Sequence, residues 1–228
     1  MKKKYTIEKI DKFFYKYSCL KEVLSEQEIN TLFLEWESNN NVNPHDYFWL
    51  LFNKALIVNA QNFKNGGSES DFYNNQSYLY YNMAYFRRDE GAKKETINQF
   101  IRLAFQSEID RTKSGETTSS MYERSYQTCV ISKINGSCEY ATSQHLKRYP
   151  IDEFLDKCFI ATDKCTSEGG CYCSIASTII RDSKGNLIWK KEEINTNSNS
   201  KSNKESKGCV MVFIPIIILI TIASIFTF

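Results

Sequence analysis

The twenty residues from Cys209 to Phe228 read Cys-Val-Met-Val-Phe-Ile-Pro-Ile-Ile-Ile-Leu-Ile-Thr-Ile-Ala-Ser-Ile-Phe-Thr-Phe and carry no charged side chain. A helix of this length rises roughly 30 Å, the thickness of a bilayer's hydrocarbon core. Inside such a helix every backbone donor finds its acceptor within the segment, as a lipid environment demands. Pro215 lies near one end, where membrane helices tolerate proline. The segment predicts a C-terminal transmembrane helix and a single-pass, tail-anchored membrane protein.

The flanks give the expected orientation. Lys2, Lys3 and Lys4 are followed by Glu8, Lys9, Asp11 and Lys12 among apolar residues, which is not the continuous apolar core of a secretory leader. Lys201, Lys204 and Lys207 stand against Glu205 alone just before the apolar run, and this bias keeps the N-terminal part on the cytoplasmic side. Between them, Asn195 to Gly208 is built from Asn, Ser, Lys and Thr and has nothing to bury, so a disordered spacer is expected. Its r.m.s. reach is roughly 20 Å, which would hold the preceding domain close to the bilayer without fixing it there.

A formal net charge of +2 over 228 residues leaves no electrostatic footprint for nucleic acid, and no nucleic-acid partner is expected. The eight cysteines constrain more. Cys19 and Cys209 stand alone, whereas Cys129, Cys138, Cys158, Cys165, Cys171 and Cys173 crowd into one stretch. In a reducing compartment such a group points to metal binding or catalysis before disulfides.

Residues 6–114 read as helices. Ile7, Ile10, Phe13, Phe14 and Tyr17 form one stripe at helical spacing. Ser25 with Glu28 is a capping box, and Ile29, Leu32, Phe33 and Trp36 supply the apolar face behind it. Asn43-Pro44-His45-Asp46 opens a further helix, with Phe48, Leu51, Phe52 and Ala55 facing inward. Asn65-Gly66-Gly67-Ser68 breaks the chain. A tyrosine-rich helix is expected from about Asn75 to Glu90, and another from about Lys93 to Lys113 with Ile97, Phe100, Ile101, Ala104, Phe105 and Ile109 on one face. At this spacing the aromatic residues read as core rather than as a base-stacking surface. Arg87-Arg88 reads as a solvated helix end and His45 as a first-turn surface residue. No Gly-rich phosphate loop, HExxH or GxSxG occurs.

Beyond Thr117–Ser120, which reads as a joint, the pattern changes. Tyr126–Ser132 and Tyr172–Ile180 are strand-like, and Ser183-Lys184-Gly185-Asn186 is turn chemistry leading into Leu187-Ile188-Trp189 as a terminal hairpin. The thiols lie between the strands. Zinc asks for four soft donors in a tetrahedron, and sulfurs from separate loops can supply them. A small, loop-rich module gains most from such a staple.

The segment Cys138-Glu139-Tyr140-Ala141-Thr142-Ser143-Gln144-His145-Leu146-Lys147-Arg148-Tyr149-Pro150-Ile151-Asp152-Glu153, with the later Cys165 and Gly170-Cys171-Tyr172-Cys173, resembles the cysteine-rich tail of phage head-morphogenesis (minor head) proteins and of bacterial proteins carrying that tail after a helical region. The family pattern is approximately C-x-x-C-x-x-L-x-G-K-x-[FY]-x-x-[DE]-[DE], a lone Cys, then G-C-x-C. Cys138, Lys147, Tyr149, Asp152, Glu153, Cys165, Gly170, Cys171 and Cys173 match it, while Ala141, Gln144 and Leu146 replace Cys, Leu and Gly. The resemblance covers about residues 129–190. It implies a structural Zn2+ on Cys138, Cys165, Cys171 and Cys173, with Cys158 or His145 as substitutes. A membrane tail fits poorly with a head component, so capsid assembly is not implied.

The resulting expectation is an α+β protein. A helical domain spans residues 1–120, a cysteine-rich α+β module 121–192, a flexible linker 193–208 and a transmembrane tail anchor 209–228. No catalytic residue is indicated. The reading is a non-enzymatic membrane protein presenting an interaction module to a protein partner. The competing one is a thiol-based redox sensor or oxidoreductase using Cys171 and Cys173, which would need a thiolate stabilised by a nearby cation such as Lys164.

Overall fold

Punctuation in the sequence sets most of the helix boundaries. The computed structural model describes residues 7–38, 44–114, 126–132 and 137–188. The joint at 117–120, the spacer and the apolar tail lie outside the described residues. Helix α1 (Ile7–Lys16) is followed by the short α2 (Cys19–Val23) and by α3 (Glu26–Ser38). The Ser25 amide donates to Glu28 Oε2 at 3.0 Å, and the Glu28 amide donates to Ser25 Oγ at 3.3 Å. Two orphan donors are thereby satisfied at the start of α3, a saving of about 1 kcal/mol.

Helix α4 (Pro44–Lys64) begins on its proline, where the missing N–H costs nothing. Helix α5 (Glu69–Asp89) starts at Glu69, well before the Asn75 suggested by apolar spacing. The reason is local: Ser68 Oγ accepts from the Asp71 amide at 3.0 Å, and Glu69 and Asp71 lie in the first turn, where carboxylates complement the exposed N–H groups. At the far end Gly91 takes φ +74°, while the Ala92 amide donates to Arg87 O at 2.9 Å and the Gly91 amide to Arg88 O at 3.0 Å. This Schellman closure turns the chain so that α6 (Lys94–Ser114) packs back along α5.

Strand β1 (Tyr126–Ile131) is the middle strand of a three-stranded antiparallel sheet in the order β2-β1-β3, with β2 at Arg148–Pro150 and β3 at Ser174–Ile179. Helix α7 (Glu139–Ser143) lies between β1 and β2 in sequence, and a 3₁₀ turn (Ile151–Glu153) leads into α8 (Phe154–Lys157). Pro150 pairs with Gln127 on the edge strand, the position where a missing ladder donor is tolerated. Thr128 is paired with Tyr149 on one side and Ser177 on the other, and its hydroxyl lies 2.8 Å from Ser177 Oγ. The hairpin after β3 is present: Arg181 pairs with Leu187, and Asp182 Oδ1 accepts the amides of Lys184 and Asn186.

Two apolar clusters meet on the α5–α6 hairpin. One gathers α1, α2, α4 and α5 around Leu20, Leu51, Phe52 and Leu79. Phe86 receives the rings of Phe13, Tyr17 and Phe48 edge-on, at centroid distances of 5.9, 5.9 and 6.2 Å, the arrangement favoured by ring quadrupoles. The other cluster joins Ile97, Ile101, Phe105 and Ile109 of α6 to Val130, Ala141, Ile151, Phe154, Ile160 and four of the cysteines. The helical region and the sheet therefore share a core, and all described residues fall in one compact unit. Among the described residues no helix is long and apolar enough to cross a membrane.

The helix end at Arg87-Arg88 is not solvated. Arg87 stacks over Trp49 at 4.1 Å and donates to Glu90 Oε2 at 2.9 Å. Arg88 turns the other way, towards the cysteines. His45, in the first turn of α4, stays 42% exposed at its side chain while one face of its ring stacks on Phe86 and Nδ1 lies 3.2 Å from Glu90 Oε1.

Candidate metal centre

Cys138 occupies the N-cap position of α7 with extended φ and ψ, so its side chain projects at the start of the helix rather than along it. Ala141, one turn later, is buried in the shared core. After α8 the chain runs from Cys158 to Cys173 without a helix or strand. It is held instead by turns: Cys165 N donates to Thr162 O at 3.1 Å and Gly170 N to Ser167 O at 3.1 Å. Cys171 and Cys173 then lie immediately before β3.

These elements bring four thiols into one group. Cys138 Sγ is 4.0 Å from Cys165 Sγ. The Cys173 amide donates to Cys171 Sγ at 3.4 Å, and the Cys171 thiol is near enough to those of Cys165 and Cys173 to perturb their ionisation. Ser137 Oγ approaches Cys173 Sγ at 3.8 Å. Cys165, Cys171 and Cys173 are all buried, and Cys138 is half-buried.

The electrostatics divide the group. Cys165 is lowered to about 6, first by the Cys171 thiol and then by the Ser167 amide, Cys138 and the Lys94 ammonium. Cys173 is lowered as well, chiefly by Cys171. Cys171 is strongly raised, by the thiols of Cys165 and Cys173 and then by its own burial. Cys165 and Cys173 are thus held towards the thiolate, the form of the donor that a soft cation seeks.

The donor set can be tested against zinc. Zn–S bonds of about 2.3 Å in a tetrahedron put neighbouring sulfurs about 3.8 Å apart. The Cys138–Cys165 separation of 4.0 Å is close to that edge. Among the described residues no group of three or more His, Cys, Asp or Glu side chains is already placed to hold a metal ion. The thiols form a chain of neighbours, Cys138–Cys165–Cys171–Cys173, and the chemistry of these donors is what fits.

The other candidates stand differently. Cys158 is fully buried at the end of α8, where burial raises its thiol and the charge of Cys173 adds to the effect. It packs in the same apolar cluster as Cys165, Cys171 and Cys173. His145 is exposed, and its Nδ1 accepts the Ser132 amide at 3.2 Å beside β1; it does not join the thiols. Cys129 lies in β1, paired with Arg148 and Ala176.

Sequence reasoning missed the residues that hold the cysteine loop in place. Arg88 Nε donates to Gly169 O at 2.5 Å and Nη2 to Cys171 O at 2.9 Å, while its guanidinium lies 3.9 Å over the Tyr172 ring. On α6, Lys94, Asn98 and Arg102 recur every four residues and face the same loop. Lys94 Nζ reaches Cys165 O at 3.4 Å, Asn98 Nδ2 reaches Thr162 O at 3.1 Å, and Arg102 donates to Leu155 O at 3.1 Å and Ile160 O at 3.4 Å. The i, i+4 spacing was visible, but polar residues in that pattern ordinarily mark a solvated face. Compared with family models, curated proteins and solved structures, the chain matches none of them.

Proposed function

We propose that this is a non-enzymatic, membrane-tethered protein in which Cys138, Cys165, Cys171 and Cys173 hold a structural zinc ion, and whose helical and cysteine-rich parts together offer a surface to a protein partner. The observation that carries the metal reading is the group of four sulfurs, drawn from the start of α7, the loop after α8 and the approach to β3, with one pair at 4.0 Å. Bound there, zinc would supply a cross-link between segments that have little secondary structure to stabilise them. Leu146 adds support for the resemblance, because it adopts φ +57° at the position where the family pattern has glycine. The tether is the uncharged run Cys209–Phe228, with the lysine-flanked side towards the cytoplasm.

Elemental analysis of the full chain, purified in detergent without added metal, tests the centre. About one zinc per chain is expected, and less than about a third of an equivalent overturns the reading.

A second reading, thiol exchange by Cys171 and Cys173, draws support from the lowered Cys173 and is opposed by the burial of both residues, since an exchanging thiolate must be reached. Thiol titration with and without a chelator separates the two. A metal centre releases several thiols together on chelation, whereas an exchanging pair reacts in untreated protein.

A further inference from the structure

We infer that Asn98 and Arg88, which lie on the helical hairpin outside the cysteine-rich segment, are positioning residues for the thiolate site, fixing the peptides on either side of Cys171 and thereby setting the site's affinity for its cation. This deepens the zinc reading and rests on it.

Both flanks of Cys171 are pinned, one from each helix. Asn98 of α6 is 4% exposed, and its Oδ1 accepts the Cys171 amide at 2.7 Å. Its Nδ2 donates to Thr162 O at 3.1 Å, so each end of the carboxamide has a partner of the right polarity and only one orientation serves both. From α5, Arg88 takes the carbonyl of Cys171 at 2.9 Å and that of Gly169 at 2.5 Å. The planar guanidinium makes this two-point grip possible, and its stack on Tyr172 at 3.9 Å fixes the plane.

The backbone between these grips lies directly on α6. Gly170 has φ +76°, and a Cβ added there would sit 2.7 Å from Ile97 Cγ2 and 3.2 Å from Asn98 Oδ1. Cys171 therefore starts from a backbone with little freedom, and its sulfur receives the Cys173 amide at 3.4 Å. A ligand held in this way gives up little further entropy when it binds, and outer-shell partners of this kind are worth tenfold or more in metal affinity. A merely structural role for Asn98, bridging two loops, would lower the stability of the fold without changing how the sulfurs present themselves to a cation.

The test uses the full chain in detergent, metal-free, titrated with Co2+ and read by the sulfur-to-cobalt charge-transfer band, and with Zn2+ against a chromophoric chelator. Asn98→Leu removes both contacts, whereas Asn98→Asp keeps the acceptor for the Cys171 amide. Arg88→Lys keeps the charge and removes the fork, and it remains informative where the Leu variant fails to fold. Asn98→Leu is expected to bind about 10–100-fold more weakly with an altered charge-transfer band, Arg88→Lys about tenfold more weakly, and Asn98→Asp within about tenfold of the unaltered chain. Unchanged affinity and spectrum in a folded Asn98→Leu or Arg88→Lys chain overturn this inference alone. An unaltered chain that binds neither cation overturns the zinc reading and this inference with it.

Discussion

The amide of Leu146 donates to the carbonyl of Val130 across 2.9 Å, and Leu146 makes this contact with φ at +57°. The bond carries the chain from α7 past the middle strand and into β2. A branched side chain in the left-handed region costs roughly 1–2 kcal/mol, and Leu146 recovers little of this by burial because it is 57% exposed. Leu146→Gly relieves the strain and costs about 0.5–1 kcal/mol in unfolded-chain entropy. The expected outcome is a gain of about 0.5–1 kcal/mol in denaturant unfolding. A loss of stability would mean that the Leu146 side chain contributes more than its exposure suggests.

Gly170→Ala should do the opposite. The new methyl meets Ile97 Cγ2 at 2.7 Å and the residue must keep φ +76°. Ile97 is 1% exposed at the centre of the shared core and has no room to yield. Left-handed strain of about 1–2 kcal/mol combines with overpacking of about 1–3 kcal/mol, for a total of roughly 2–5 kcal/mol. Urea unfolding measures it, and a cost below about 1 kcal/mol would show that the loop does not lie on α6 as described.

The helices were legible in the sequence because they announce themselves locally. The Ser25–Glu28 box, Pro44 and the Gly66-Gly67 break each act within a few residues, and the strands at β1 and β3 are long enough to show their character. The early start of α5 was not legible, because Glu69 to Tyr73 have no apolar period and the helix is extended by the Ser68 cap. β2 escaped because three residues ending in Pro150 carry no period-2 signal. The support of the thiol group escaped for a different reason. Arg88, Asn98 and Arg102 bind main-chain carbonyls between 53 and 83 residues away, and a carbonyl looks the same whatever its side chain. Even the thiols could be named only through spacing and resemblance, while the neighbourhood of Cys138 and Cys165 is a product of the tertiary fold.

Alkaline stability should fall in two steps. Burial pushes the Cys19 thiol from an ordinary 9.0 to about 12, with Glu22 adding to the effect, and burial pushes Tyr47 from 10.0 to about 12. A group whose value is raised on folding contributes stability that is complete below its unfolded value and is lost as pH climbs towards the folded one. Stability should therefore begin to fall near pH 9 as Cys19 is asked to ionise, and more steeply above 10 when Tyr47 joins it. In Cys19→Ala the fall above pH 9 becomes shallower, the raised Cys158 and Cys171 thiols still contributing to it. Urea midpoints between pH 8 and 11 measure this, and an identical slope above pH 9 in both proteins would remove Cys19 from the account.

Tethering and folding should be separable. The described residues, which end at 188, fall in one compact unit, and the run Cys209–Phe228 has the apolar length to hold a bilayer. Deleting residues 209–228 should leave the thermal midpoint of the remaining chain unchanged within about 2 °C, because the two apolar clusters described above are built from residues between Phe13 and Ile179. The same deletion should abolish retention on lipid vesicles after carbonate washing, which strips proteins held only by charge. The lysines of the spacer remain in the truncated chain, so retention before the carbonate wash that survives truncation and vanishes in high salt belongs to those lysines, whereas retention of the truncated chain through the carbonate wash would exclude the apolar run as the anchor. Introducing a charge into the run, as in Ile218→Lys, distinguishes insertion from surface adhesion: a lysine at the hydrocarbon centre costs about 2.5–3.5 kcal/mol, enough to reduce a spanning helix's retention measurably, whereas a segment lying in the headgroup region keeps its lysine in water and stays bound.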